Sequence, residues 1–310
     1  MGHNANKMDD GGYPAWRNPD NYKPKRVPVA FRVTSVGTTN FLKGEKSMEL
    51  VKSPIDNVVE SAFVHVSDLR CSAEWYSMVM GLPLLEERLN GGNVYWFTLQ
   101  GGTGIILDDN RSNVADTPHV RFMYKTSDIE ESYRFLDDLG VQMVDPIERP
   151  HPGLAFLRFI DPDGNSIMVT QSDYVSDVVE RLDDTKSPIL NQIGGIFLNI
   201  TDMNRAIRFH SRVLGLPYHE DESGQENSIY DLKTESGAGV LLDNNRFKQG
   251  DDYETLFMLL THDVDASKAY LELNGVSVFT DIERHGDQLA FFTVKDPDGN
   301  VIMICSEEKR

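Results

Sequence analysis

The sequence has few cysteines and no long hydrophobic run, and both absences exclude classes of protein. Its two cysteines, Cys71 and Cys305, have a spacing that fits neither a metal-binding nor a redox motif. We therefore expect free, buried thiols in a reducing cytoplasm. No apolar stretch approaches the ~18 residues of a membrane-spanning helix, so no membrane association is expected. The first residues lack the apolar segment of a signal peptide, which also favours a cytoplasmic protein.

Positive charge is scarce as well. The chain of 310 residues contains 30 lysines and arginines against 49 carboxylates, which gives a formal net charge of −19. A strongly acidic protein repels phosphate backbones, so nucleic acid is not expected as a partner. A neutral or cationic small molecule suits this charge better.

A repeated motif is the main positive signal. An aspartate followed by a helical stretch, a glycine or Asn-Gly pair and a hydrophobic residue occurs four times, beginning at Asp68, Asp128, Asp202 and Asp263. The segment GIILDDNR at 104–111 returns as GVLLDNNR at 239–246, and the sequence DPDGN at 161–165 returns at 296–300. Such self-similarity identifies the folding unit, so the chain is a duplication of a half that is itself duplicated.

Each quarter reads as a strand, a helix and three strands. In the first quarter, alternating residues predict a strand up to Val66, and Asp68 is expected to cap a helix that ends at Gly81. Three strands are predicted to follow, at Leu84–Arg88, Val94–Leu99 and Gly104–Asp108. Two such βαβββ modules, placed side by side, curl into a cup. We therefore predict an α+β fold with two cups in tandem and four modules in all.

The repeats also predict the domain boundaries. Residues 1–54 lie outside the repeat and contain several prolines, which favours an irregular N-terminal arm. Cup 1 is predicted at 55–176 and cup 2 at 190–308. A linker at 177–189 joins them, marked by the sequence Thr-Lys-Ser-Pro.

These motifs resemble those of the vicinal-oxygen-chelate superfamily, which includes glyoxalase I, extradiol dioxygenases, and fosfomycin- and bleomycin-resistance proteins. The resemblance covers about 250 residues and rests on Asp-Leu after the first strand, Gly-Leu-Pro at 81–83 and 215–217, the repeated DPDGN, and aromatic pairs in the helices (Trp75-Tyr76, with Phe209-His210 as its counterpart). The tandem length is similar to that of two-domain extradiol dioxygenases. None of these motifs identifies a reaction.

In metal-dependent members of the superfamily, a divalent ion is held in the cup by residues from the first and last strands of each module. Such a site needs side chains of the His, Glu or Gln type that converge on one point. The corresponding positions here are Ser61, Ile106, Arg121 and Met168 in cup 1, and Gly195, Leu241, Leu256 and Met303 in cup 2. None is a usual ligand, and Arg121 places a positive charge where a cation belongs. The resemblance therefore predicts no metal and no cofactor at these positions.

A polar cluster in cup 1 is the main alternative site. His65 is predicted on the same strand face as Ser61, and His119 on the same face as Arg121. Together they can bind a hydroxylated or anionic ligand, move a proton, or hold a metal in a non-standard way. Hydrogen bonding in the wall of the cup is the structural alternative. In cup 2 the residues at the places of His65 and His119 are Asn199 and Glu254.

Aromatic residues on the cup strands suggest a flat ligand. Trp96 in cup 1 is matched with Tyr230 in cup 2, and either can stack on a ring or pack in a core. The candidate ligand-binding residues are thus Ser61, His65, Trp96, His119, Arg121, Met168, Asn199 and Tyr230.

Two functions remain open at this stage. The first is a protein without a metal that binds or sequesters a small organic molecule, like the drug-resistance branch of the superfamily. The second is a divergent metal-dependent enzyme, a lyase or dioxygenase, with its site around His65, His119 and Arg121. The second half can serve as an internal partner for the first, so either a pseudo-dimeric monomer or a homo-oligomer is compatible with the sequence.

Overall fold

A computed structural model describes residues 52–109, 118–175, 177–218, 228–286 and 289–307. The predicted arm therefore lies outside the described residues except for its last three. Within the described ranges, no helix has the length and apolar character needed to cross a membrane.

The first half contains two helices and two modules of strands. Its elements are β1 (Ile55–His65), α1 (Leu69–Met80), β2 (Val94–Phe97), β3 (Gly104–Asp108), β4 (Val120–Thr126), α2 (Ile129–Asp138), β5 (Gln142–Met143), β6 (Glu148–His151), β7 (Leu154–Ile160) and β8 (Ser166–Ser172).

The second half has a similar order of elements. Its elements are β9 (Ile189–Asn199), α3 (Met203–Leu214), β10 (Ile229–Asp231), β11 (Gly239–Asp243), α4 (Asn245–Gln249), β12 (Thr255–Thr261), α5 (Val264–Leu273), β13 (Glu283–His285), β14 (Leu289–Lys295) and β15 (Val301–Glu307).

Each half forms one curled mixed sheet. The strand order is β2-β3-β1-β4-β8-β7-β5 in the first half, with β6 also paired to β7, and β10-β11-β9-β12-β15-β14-β13 in the second. The long helices lie on one face of each sheet and bury alternate strand residues, such as Ala62 and Val64. The other face, called the inner face below, lines the cup. This confirms the predicted α+β fold with two cups.

The predicted helix starts are confirmed. Asp68, Asp128, Asp202 and Asp263 each accept a hydrogen bond from the backbone N–H three residues further on. A cap of this kind stabilises a helix by about 1 kcal/mol. Gly81 ends α1 with a φ of 67°, a left-handed conformation that glycine adopts without strain.

One predicted strand is wrong. Leu84–Arg88 does not pair with a sheet, and a 3₁₀ turn forms at Glu86–Arg88. Leu84 and its neighbour Leu85 both pack against the main hydrophobic core. Successive residues of a strand point to opposite faces of the sheet. Two adjacent leucines that pack against the same core therefore favour a turn over a strand.

The DPDGN turns join the two halves. In the turn of the first half, Asp163 accepts the backbone N–H of Thr201 from the second half at 2.8 Å. In the turn of the second half, Asp298 accepts the backbone N–H of Ser67 from the first half at 2.9 Å. Each turn thus docks just before the first helix of the other half.

The chain between the cups lies against the first half. The backbone N–H of Val179 donates to the carbonyl of Thr98 at 2.8 Å, and that of Leu182 donates to the carbonyl of Gly81 at 2.9 Å. The side chain of Val179 is buried.

Candidate functional site

The inner face of cup 1 is defined by strand pairing. Ser61 pairs with Gly104 and Met123, Phe63 with Ile106, and His65 with Asp108. Directly paired residues have their side chains on the same face of a sheet. The same rule adds the residues that continue this face on the outer strands, namely Val94, Trp96, Phe156, Arg158, Met168 and Thr170.

At one end of this face the structure brings the two predicted histidines together. The rings of His65 and His119 stack with their centroids 4.2 Å apart. Nε2 of His65 lies 3.1 Å from the carbonyl of Val120, which can only accept, so this nitrogen carries the proton. Nδ1 of His65 faces Oδ2 of Asp108 at 3.7 Å. Burial, with the nearby charge of His119, lowers the pKa of His65 and favours the neutral imidazole.

Arg121 makes a contact that links the two halves. Its guanidinium donates to Oε2 of Glu254, whose Oε1 accepts from Arg246. Glu254 thus lies between Arg121 of the first half and Arg246 of the second, and its carboxylate balances the charge of Arg121. Ser61 lies further along the face, paired with Met123, and does not join this cluster.

The metal positions expected from the resemblance carry the wrong side chains. In cup 1, Arg121 pairs with Glu254, and Met168 lies between Met123 and Arg158. Ser61 and Ile106 complete the set, which therefore offers one hydroxyl and no carboxylate or imidazole. These residues do not fit a divalent ion.

In cup 2 the same positions are filled by packing. A Cβ on Gly195 would lie only 2.8 Å from Cε of Met258 and 2.9 Å from Cδ1 of Leu241. The inner face carries its own hydrophobic cluster of Phe197, Leu241, Phe291, Met303 and Cys305. Across the described parts of both cups, no three His, Cys, Asp or Glu side chains are arranged to hold a metal ion.

A small polar cavity remains at the mouth of cup 2. Its volume is about 50 Å³, well below the ~300–1,000 Å³ of typical ligand sites. It is lined by Phe197, Asn199, Asp243, Asn245, Arg246, Asp251, Tyr253, Thr255, Thr280, Glu283, Phe291, Thr293 and Met303. Sequence reasoning anticipated only Asn199 of this set. The repeated strand ends at Asp108 and Asp243 were the available signal for the others.

The predicted match of Trp96 with Tyr230 is wrong. Trp96 pairs with Ile106 on the inner face, whereas Tyr230 pairs with Leu242, which is fully buried on the helix side. Asp231 is the residue of β10 that pairs with Leu241, the counterpart of Ile106. A shift of one residue reverses the face of a strand, so Tyr230 packs in the core and does not line cup 2.

Cup 1, by contrast, keeps an exposed apolar strip. The side chains of Val94 and Trp96 are 39% and 36% exposed, although both lie on the inner face. The guanidinium of Arg88 lies 4.8 Å from the ring centre of Trp96. The inner-face cations beyond the strip are paired, Lys125 with Glu60 and Arg158 with Asp145. A carboxylate therefore balances the charge of each of these two cations.

Comparison with known proteins agrees with this architecture. The family model of the Glyoxalase/Bleomycin resistance protein/Dioxygenase superfamily matches residues 55–169 and again residues 190–304, so the chain belongs to this superfamily. No curated protein matches the sequence.

Solved structures of similar fold share little sequence with the chain. The Mn(II)-bound glyoxalase from Novosphingobium aromaticivorans is 15% identical, with a TM-score of 0.53 over 82% of this chain and 83% of that one. Homoprotocatechuate 2,3-dioxygenase from Arthrobacter globiformis is 17% identical, with a TM-score of 0.54 over 83% of this chain and 81% of that one. These similarities show the fold alone.

Proposed function

We propose that this protein binds a small organic molecule in cup 1 without a metal ion, and that it sequesters the molecule rather than transforming it. The observation that carries the proposal is the exposed apolar strip of Val94 and Trp96 on an inner face whose metal positions hold no suitable ligand. Apolar surface inside a concave site is typical of small-molecule binding.

The charges around the strip indicate the kind of molecule. Arg121, Lys125 and Arg158 point to the inner face, and each is paired with a carboxylate. A neutral aromatic molecule would leave these pairs intact and place its ring against Trp96, where stacking adds roughly 0.5–1.5 kcal/mol to the burial of its surface. This favours a neutral, flat ligand in cup 1.

The test uses the neutral fluorescent probe N-phenyl-1-naphthylamine. We expect saturable binding to the full chain, about tenfold weaker in Trp96→Ala, which corresponds to about 1.4 kcal/mol. Phe247→Ala is the matched control, because this aromatic residue is 65% exposed but belongs to α4 rather than to the strip. Equal binding by wild type and Trp96→Ala, or loss of binding after dialysis against a chelator, would reject the proposal.

The second candidate function is an enzyme that uses the cluster of His65 and His119. Two stacked imidazoles beside Asp108, with a neutral His65, are suited to proton transfer, or to a non-standard metal site with a further ligand. Elemental analysis of protein purified without chelators separates the candidates. About one equivalent of a transition metal that is lost in His65→Ala would favour the enzyme over the binding protein.

We further propose a monomer in which the second half takes the place of a partner subunit, located in the cytoplasm. The reciprocal docking of the DPDGN turns supports the monomer, and the absence of a disulfide at Cys71 and Cys305 supports a reducing compartment. Light scattering coupled to gel filtration would contradict the monomer if it gave a mass well above the 35.0 kDa of one chain.

A further inference from the structure

The two halves differ at one buried carboxylate. Asp108 ends β3 and Asp243 ends β11, and the two occupy equivalent places in the duplicated fold. In cup 1 the residue paired with Asp108 is His65, whose Nδ1 faces the carboxylate at 3.7 Å. In cup 2 the residue paired with Asp243 is Asn199, which cannot carry a charge. The two equivalent carboxylates therefore face different side chains, an imidazole at Asp108 and an amide at Asp243.

The described hydrogen bond of the Asp243 side chain comes from the residues that follow β11. Oδ1 of Asp243 accepts the backbone N–H of Asn245 at 2.7 Å. Arg246, which also lines the cavity described above, is held by Glu254 and by the carbonyl of Asp251. Burial raises the pKa of Asp243 to about 6, and the charge of Asp251 adds to the increase, while Lys248 only partly opposes it.

The cavity around Asp243 has walls that suit a cation. Its lining includes the carboxylates of Asp251 and Glu283 and the rings of Phe197, Tyr253 and Phe291. Aromatic faces attract organic cations, most strongly where water is excluded. The hydroxyls of three threonines, Thr255, Thr280 and Thr293, add hydrogen-bond acceptors.

We propose that the mouth of cup 2 binds a small organic ammonium ion, with Asp243 as the anionic partner and the rings of Phe197, Tyr253 and Phe291 as its walls. The cavity volume of about 50 Å³ restricts the ligand to a short alkylammonium group or to the ammonium end of a longer molecule. This site is separate from the apolar strip of cup 1, so it does not depend on the function proposed above.

The test uses ethylammonium chloride as the probe, followed by NMR titration of isotope-labelled full-length protein at constant ionic strength. We expect saturable shifts at Thr255, Thr293 and their neighbours, and none with ethanol, which has a similar size but no charge. Asp243→Asn should weaken binding at least tenfold, since it keeps the shape and removes the charge. Asp108→Asn is the matched control and should leave the titration unchanged.

Intermolecular NOEs from the probe to the rings of Phe197 and Phe291 in the wild-type protein provide a measurement that does not depend on any variant. Their presence would support the site even if Asp243→Asn did not fold. The proposal is overturned if ethanol binds as well as ethylammonium, if Asp243→Asn binds normally, or if the wild type shows no shifts in cup 2. A failure of N-phenyl-1-naphthylamine to bind would contradict only the function proposed for cup 1 and would leave the ammonium site in cup 2 untouched.

Discussion

His210 in α3 donates from Nε2 to Oδ2 of Asp161 at 3.2 Å, and both side chains are almost fully buried between the two halves. The duplication places Tyr76 and Asp296 at the equivalent position, where the phenol donates to the carboxylate, also at 3.2 Å. Each pair joins a DPDGN turn of one half to the first helix of the other. The same interface is thus built once with a basic partner and once with a neutral one.

The first prediction concerns the stability of these two pairs. His210→Ala leaves Asp161 buried without its basic partner, so we expect a loss of about 3–5 kcal/mol in the free energy of unfolding. Tyr76→Phe removes only one hydroxyl beside Asp296, which keeps the amide of Asn300 as a donor, and should cost about 1 kcal/mol. Urea denaturation followed by fluorescence measures both. Equal losses of stability in the two variants would contradict the conclusion that Asp161 depends more on His210 than Asp296 depends on Tyr76.

The second prediction concerns pH. Burial raises the pKa of Asp296 to about 6, because it outweighs the hydrogen bonds from Asn300, and the charge of Asp298 adds a smaller increase. The folded protein therefore holds this proton more tightly than the unfolded chain, and the resulting stability is lost as the pH rises through about 6. Between about pH 5.5 and pH 7.5, wild type should lose about 1 kcal/mol more than Asp296→Asn, because the titration of Asp243 contributes to both proteins.

The titration of Asp161 provides the comparison for this measurement. Burial alone would raise its pKa, but the hydrogen bond and charge of His210, with donors from Asn165, lower it instead. Its contribution to stability is present above the unfolded value of about 3.9 and is lost only as the pH falls below that value. The titration of Asp161 therefore adds no slope between about pH 5.5 and pH 7.5, in contrast to that of Asp296.

The third prediction concerns the link between the cups. Glu254→Gln leaves Arg121 and Arg246 close together without their shared carboxylate, and we expect a loss of about 1 kcal/mol, since the groups are only partly buried. Arg121→Met in the same chain should recover part of this loss. The exposed pair of Arg149 and Glu130 is the control, and Glu130→Gln should cost at most about 0.5 kcal/mol. Additive effects of the two substitutions at Arg121 and Glu254 would show that they are not coupled.

Local patterns were predicted well from the sequence. The cap of Asp68 and the turn at Asp161 join groups two to four residues apart, so they can be recognised without the rest of the fold. Because the motifs recur, each local prediction could then be transferred to the equivalent positions of the other modules. The failure at Leu84–Arg88 also has a local cause, because two adjacent leucines were assigned to a single strand.

The candidate site was predicted only in part. The contact of His65 with His119 followed from their places on neighbouring strands. The partner of Arg121 did not, because Glu254 lies 133 residues away in the other half. The face of Tyr230 depended on the register of β10 with β11, which one residue of misalignment reverses.

The sequence by itself determined the four modules with their helix caps and turns, because each depends on which residue stands at a given place in the repeat. Only the tertiary structure decided that cup 2 is filled by its own side chains while cup 1 keeps Trp96 exposed, and that Asp243 pairs with Asn199 where Asp108 faces His65. Side-chain packing and charge compensation depend on residues that are distant in the chain, and the fold alone brings those residues together.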